Sequence, residues 1–301
     1  MSPGFEGWQS VASRLRDLAD GTEMELNGGQ RASLGAIADR INRNGVIIAD
    51  EVGMGKTRIA VALAKCVTDA HGRVAILVPP GLGYQWGDEL RIAGVDAPLV
   101  LRSLWQFLKA WESDEENQQR PWFKEKVMLV SHAFANWRLG SRSEAWRWAL
   151  LPVLYAYWRK RISSGFPRGY HGNQMLSDSW VQNAAQSISR AVFDTPVEHH
   201  YHGLIEELAD KTPWPGAMDA GEYERNAKLR PWLERAVGLG LGVFDLVITD
   251  EAHKSRGQES GLNRLLEQIV LRSCDARRIA MTATPVELDA QQWTQMLGRI
   301  G

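Results

Sequence analysis

The stretch Ala49-Asp50-Glu51-Val52-Gly53-Met54-Gly55-Lys56-Thr57 decides how this chain is read. It follows a short apolar run, Gly45 to Ala49, that reads as a strand, and it opens a helical pattern from Lys56 to about Thr68. Glycines let the backbone wrap closely around an anion, and the amides of the following helix N-terminus face that anion. In such a turn Gly53, Met54 and Gly55 supply the wrap. Lys56 reaches the outer phosphates of a nucleotide and Thr57 offers its hydroxyl to Mg²⁺. The strict phosphate-loop pattern has glycine six residues before the lysine, and here that position is Asp50.

Far downstream, Asp250-Glu251-Ala252-His253 follows the apolar run Phe244 to Ile248. Two carboxylates at one strand end, with a lysine and a hydroxyl at another, are what phosphoryl transfer needs. Catalysis there is mostly positioning and charge neutralisation. Asp250 is placed to hold Mg²⁺ through water. Glu251 is placed to orient or deprotonate the attacking water. Thr282-Ala283-Thr284-Pro285 follows a third strand, and its hydroxyls are candidates to link the nucleotide site to a second surface.

Outward from these motifs, strands are expected at Val74–Val78, Pro98–Leu101, Val127–Val130, Leu246–Thr249 and Ile279–Thr282. Helices are expected within residues 1–25 and at Gln30–Asn42, Gln85–Ile92, Leu104–Trp111, Leu262–Arg272 and Ala290–Ile300. The alternation implies a parallel sheet with helices on both faces, which binds ligands at the C-terminal ends of its strands. Between Ser131 and Gly240 the alternation stops. That segment is helical in pattern and rich in aromatics, and it reads as an insertion in the α/β lobe. Ser141 to Glu144 fits a capping box opening a helix through Trp146, Trp148, Leu151 and Tyr155.

The motif set resembles the superfamily 2 helicases, particularly the Swi/Snf-like DNA translocases and their bacterial relatives. That group writes its phosphate loop as A-D-E-x-G-x-G-K-T, so Asp50 is ordinary there. Leu26 to Gln30 resembles its upstream glutamine motif, which implies that Gln30 recognises adenine. Ile76 to Trp86 resembles a motif whose start, Pro80 and Gly81 here, touches the DNA backbone. Leu129 to His132 resembles the strand end of another such motif and brings in Ser131. The resemblance implies that His253, Thr282 and Thr284 couple hydrolysis to movement. It covers roughly 26–131 and 241–301.

The expected organisation is therefore an N-terminal helix (1–25), a RecA-like P-loop NTPase lobe (26–131 and 241–301) and a helical, tryptophan-rich insertion (132–240). The implied cofactors are ATP and Mg²⁺. The implied partners are nucleic acid, with double-stranded DNA as the track, and a second RecA-like lobe on the same longer protein or another chain. No second-lobe motif follows Thr284 before Gly301, so the sequence is expected to be the first lobe of a longer protein. An arginine finger is worth on the order of 10³ to 10⁵ in rate, so a lone lobe is expected to bind nucleotide and turn it over very slowly. Two other readings share these motifs: the motor of a restriction or anti-phage defence complex, and a regulatory nucleotide-binding module that never hydrolyses ATP.

Composition narrows the classes. With 301 residues, a net charge of −1 and 44% hydrophobic residues, the chain has ordinary globular proportions and no global basic field. A nucleic-acid surface must then be a local patch. Two cysteines, Cys66 and Cys274, exclude a disulfide scaffold and point to a reduced cytoplasmic setting, while the resemblance implies a bacterial or phage one. Both are expected in helical segments. No apolar run is long enough to suggest a membrane span.

Between Arg138 and Tyr170, seven basic residues face one acid, Glu144. Arg159, Lys160 and Arg161 are candidate phosphate contacts, with aromatics stacking on bases. The competing and favoured reading fills the insertion's own core with the tryptophans while the arginines snorkel outward. His199, His200 and His202 have no convergent further ligand and read as a solvated loop.

Overall fold

Val-Ala-Ile-Leu-Val, residues 74–78, is apolar at every position, as a strand covered on both faces requires. The computed structural model describes residues 4–49, 53–97, 99–111, 122–171, 178–196, 199–252 and 261–282. The expectations for Asp50, for His253 and Thr284, and for a helix at Ala290–Ile300 lie outside those residues.

The described strands are β1 (Val46–Ile48), β2 (Val74–Val78), β3 (Val127–Ser131), β4 (Val243–Thr249) and β5 (Leu271–Met281). They form one sheet in the order β1-β5-β4-β2-β3, and every pairing is parallel. The chain is thus an α/β protein built on a parallel sheet with helices on both faces.

Side chains alternate across a strand, and the two faces carry separate cores. Val74, Ile76, Val127, Leu129, Leu246 and Ile248 point to one side. That side is covered by α1 (Trp8–Asp20), α2 (Gly28–Arg40), α3 (Lys56–Asp69) and α4 (Gly83–Ile92). Ala75, Leu77, Met128, Val130 and Val247 point to the other. There they meet α5 (Leu104–Lys109), α6 (Leu150–Ser163), α7 (Ser179–Phe193), α8 (His200–Asp210) and α9 (Arg230–Leu241). Most of this second layer lies in residues 132–240. Leu151, Leu154, Ile188, Leu233 and Val237 bury themselves in the same core as the sheet. Trp148 and Trp158 are each 2% exposed, so these two tryptophans fill core.

Several local expectations are corrected. The helix expected over Leu262–Arg272 is one turn, Gly261–Arg264, continuing as a π-helix over Leu265–Ile269, and β5 begins at Leu271. Charge hid the first half of that strand. Arg277 donates to the carbonyls of Ile41 (2.9 Å) and Asn42 (2.8 Å), and Ser273 donates to Asp245 (3.0 Å). Cys274 lies in this strand, exposed, while Cys66 is buried in α3. The strand expected at Pro98–Leu101 is reduced to a single bridge, Leu101 to Val130.

The capping box expected at Ser141–Glu144 does not form. Ser143 accepts from the Gly140 amide, Glu144 accepts from the Trp146 indole, and α6 starts only at Leu150. A capping box does occur at Asn27 and Gln30, at the start of α2. His200 and His202 lie in α8 rather than in a loop, with His199 as its N-cap. Among the described residues no helix is long and apolar enough to cross a membrane.

The N-terminal edge of the sheet is tied by Arg73. Its guanidinium donates to the carbonyls of Glu125 (2.8 Å), Val243 (2.9 Å), Trp122 (3.1 Å) and Leu241 (2.9 Å). It also lies 4.6 Å from the centre of the Phe244 ring. One side chain thereby holds the entries to β3 and β4 beside the entry to β2. Hydrogen bonds to a charged donor contribute about 1.5–3 kcal/mol each, without simple additivity. Arg73→Leu should therefore lower unfolding free energy by about 3 kcal/mol or more in urea titration. A loss below about 1 kcal/mol would show that Arg73 is no clamp.

Candidate active site

The glycine turn begins the site. Gly53 and Gly55 take φ of 87° and 79°, the left-handed region that glycine enters without steric cost. Gly55 is the N-cap of α3, and Lys56 and Thr57 are its first two residues. Because β1 and β2 belong to one parallel sheet, the connecting helix must run back along it. The N-terminus of α3 therefore sits at the C-terminal edge, with its first-turn amides and the positive end of its dipole. Lys56 and Thr57 are half-buried and Met54 is 60% exposed.

Gln30 closes one side of this turn. Its side-chain carbonyl accepts from the Asn27 amide (3.0 Å), which fixes the amide group. A methyl group built on Gly55 would collide with Gln30 Nε2. Beside them lies a cavity of about 550 Å³, whose lining includes Glu25, Leu26, Asn27, Gln30 and Arg58. The turn and Gln30 are thus packed together although about 25 residues separate them in the sequence.

The second part comes from β4. Its ladder runs one residue past the strand, where the Asp250 amide donates to the Leu77 carbonyl (2.9 Å). On the other flank the Thr282 amide donates to the Ile48 carbonyl (3.1 Å). The ends of β1, β5 and β4 therefore emerge side by side. At roughly 4.8 Å per strand, β1 and β4 end about 10 Å apart, with Thr282 between them. Thr57 and Asp250 accordingly face the same edge of the sheet.

Asp250 is 9% exposed. Its carboxylate accepts from the indole of Trp86 (3.0 Å) and from the Glu251 amide (2.9 Å). Burial raises its pKa, and the Trp86 and Glu251 hydrogen bonds oppose that rise. Its charged neighbours are Glu251, which adds to the rise, and His132, which opposes it. A buried carboxylate held by two neutral donors suits a cation better than it suits solvent.

Glu251 adopts a left-handed φ of 52°. For a residue with a side chain this costs about 1–2 kcal/mol. Such strain gathers where a side chain must be aimed against local preference.

Trp86, in α4, belongs to the site although no motif gives it a role. It is 1% exposed, and a buried indole N–H needs an acceptor. That need was legible, whereas its satisfaction by a carboxylate 164 residues away was not.

The residues considered for nucleic acid are scattered. Pro80 and Gly81 form an exposed turn at the end of β2, on the same edge as Asp250. Ser131 is 2% exposed and its hydroxyl caps the next turn through the Ala133 amide, a placement that leaves no exposed hydroxyl for a phosphate. Arg159, Lys160 and Arg161 sit at the far end of α6. Arg159 donates to the Tyr155 hydroxyl (3.2 Å), Lys160 lies 4.7 Å over Phe166, and Arg161 donates to Ser189 (3.0 Å). Arg147 precedes α6, so the length of the helix parts it from Arg159 by about 18 Å. The basic stretch is therefore not one patch.

No protein-family model and no curated protein sequence matches the chain. Among solved structures, the chain is similar to the SWI2/SNF2 ATPase core of Sulfolobus solfataricus in complex with dsDNA, at 11% identity and a TM-score of 0.44. The match takes in 93% of this chain, which spans about a third (36%) of that one. A likeness of that degree leaves function to the chain's own geometry.

Gly55→Ala combines two faults, a left-handed residue with a Cβ and a collision with Gln30. It should cost about 1–2 kcal/mol for the backbone alone and more with Gln30 in place. In a double-mutant cycle by chemical denaturation, Gln30→Ala should remove the excess. Equal costs in both backgrounds would show that Gln30 does not pack on the turn.

Proposed function

We propose that this chain is the ATP-binding lobe of an ATP-dependent nucleic-acid translocase, with double-stranded DNA as the track. The observation that carries the reading is the convergence of the glycine turn, Thr282 and the Asp250–Glu251 pair on neighbouring ends of one parallel sheet. A triphosphate laid on the amides of Gly53 to Thr57 meets the helix dipole and the Lys56 ammonium. Gln30, fixed against the turn, faces the adenine. Thr57 and Asp250 would hold Mg²⁺ between them, and Mg²⁺ neutralises the charge that develops on the transferred phosphoryl group. Glu251 orients the attacking water and takes its proton. Thr282, next to both strand ends, couples the site to movement together with His253 and Thr284.

Hydrolysis in this reading needs a second RecA-like lobe to close over the nucleotide. The chain alone should bind a fluorescent ATP analogue with Mg²⁺ and hydrolyse ATP very slowly. Lys56→Ala should weaken that binding at least tenfold. With the second lobe present, DNA should stimulate hydrolysis and Glu251→Gln should abolish the stimulated rate while nucleotide binding persists. Unchanged affinity in Lys56→Ala would sink the reading.

Trp86→Phe removes one hydrogen bond to a charged group, a loss of about 1.5–3 kcal/mol. We expect the Mg²⁺ concentration that half-saturates nucleotide binding to rise about tenfold or more. Affinity for nucleotide without metal should stay as it was. Titration of the analogue with and without Mg²⁺ checks both, and an unaltered Mg²⁺ requirement would remove Trp86 from the site.

A further inference from the structure

The C-terminal edge carries a second concave feature, beyond β3 and away from the glycine turn. It is a groove of about 290 Å³ whose wall includes Arg102, Trp105, Asn136, Arg138, Trp146 and Arg147. Three separate segments supply them: the start of α5, the turns after β3, and the 3₁₀ turn ahead of α6. The last two belong to the 132–240 segment, so the groove lies between the sheet lobe and its insertion.

Its charge is unbalanced. Arg102 and Arg138 are exposed and Arg147 is half-buried. The ion pairs among the described residues include none of the three. Arg102 lies 5.1 Å over the Tyr84 ring and Arg147 lies 4.7 Å over the Trp146 ring. Glu144, the nearest acid in sequence to Arg138 and Arg147, engages the Trp146 indole at 2.6 Å. Three guanidiniums around one concavity repel one another until an anion with several charges enters it.

Trp105 lines the groove and Tyr84 lies under Arg102. Trp105 is 50% exposed and Tyr84 is 70% exposed. A single exposed aromatic needs no explanation. Two of them beside three uncompensated arginines match the chemistry of unpaired nucleic acid, where cations track the phosphates and flat rings stack on bases.

We propose that this groove binds an unpaired nucleic-acid strand, with Arg102, Arg138 and Arg147 on successive phosphates and Trp105 stacked on a base. This rests on the motor reading for its purpose, since a strand lying there runs along the same sheet edge as the end of β4, more than two strand spacings (about 10 Å) away. It adds a contact for separated bases to a motor whose track is the duplex, and it gives the inserted segment a task.

The test is fluorescence anisotropy of the whole chain with a labelled 20-nucleotide single strand and its duplex, at several salt concentrations. Binding of the fluorescent ATP analogue is measured in the same preparations. The double variant R138E/R147E should lose at least tenfold in single-strand affinity. Its salt slope should flatten by about 1.4, the contribution of two phosphates on single strands. W105A should lose about fivefold or more on the single strand, as one stacked base implies, with the slope and the duplex affinity kept. Analogue binding should be unchanged in both variants, which also reports an intact fold.

Native affinity and slope in R138E/R147E would overturn the proposal. So would native single-strand affinity in W105A, or a native chain that binds no single strand. Failure of the native chain to bind the analogue would instead overturn the nucleotide reading, leaving the groove to be judged on anisotropy alone.

Discussion

The candidate site depends on the parallel register that places β5 between β1 and β4. Two backbone hydrogen bonds at the sheet's upper edge express it, Thr282 to Ile48 and Asp250 to Leu77. They bring together a glycine turn, a hydroxyl and a carboxylate pair that the sequence spreads from residue 53 to 282. Parallel strands need crossover connections, so each motif arrives at the same edge by its own return path. If β5 were displaced, the glycine turn and Asp250 would lose their common reference.

Both faces of the sheet must be covered for that register to hold, because its strands are apolar on both sides. One face is covered by α1–α4. The other face is closed largely by residues 132–240, through α6, α7 and α9. Within this layer Arg230 and Glu234 form a buried ion pair at 2.9 Å, with Arg264 also reaching Glu234 at 3.4 Å. Burial raises the Glu234 pKa against the pull of Arg230. Such a pair adds little net stability, but breaking it costs about 3–5 kcal/mol. Its effect is to tie this helical layer to the segment that follows β4.

Much of the fold was legible because its signals are local. The run Val74–Val78 reads as a buried strand at both ends without adjustment. The turn before Lys56 declares itself through two glycines that do adopt left-handed angles. What stayed hidden depends on partners distant in sequence. Arg272 to Arg278 look like surface, yet Arg277 donates to carbonyls more than two hundred residues away and the segment is strand. Ser141–Glu144 matched a capping pattern, but Glu144 found a better donor in an indole. At the site, Lys56, Thr57, Asp250 and Glu251 were read from motif order alone. Trp86 was not, because no spacing rule links an indole in α4 to a carboxylate after β4. The basic stretch from Arg138 to Arg168 looked continuous, and the length of α6 divides it.

The central claim is that Thr57 and Asp250 share one Mg²⁺ beside a bound triphosphate. The most direct measurement is a crystal structure of the chain grown with Mg²⁺ and a non-hydrolysable ATP analogue. The account predicts phosphates on the amides of Gly53 to Thr57 and a metal about 2.1 Å from the Thr57 hydroxyl, with Asp250 reaching it directly or through one water. Phosphates bound elsewhere, or a metal that touches neither residue, would contradict it.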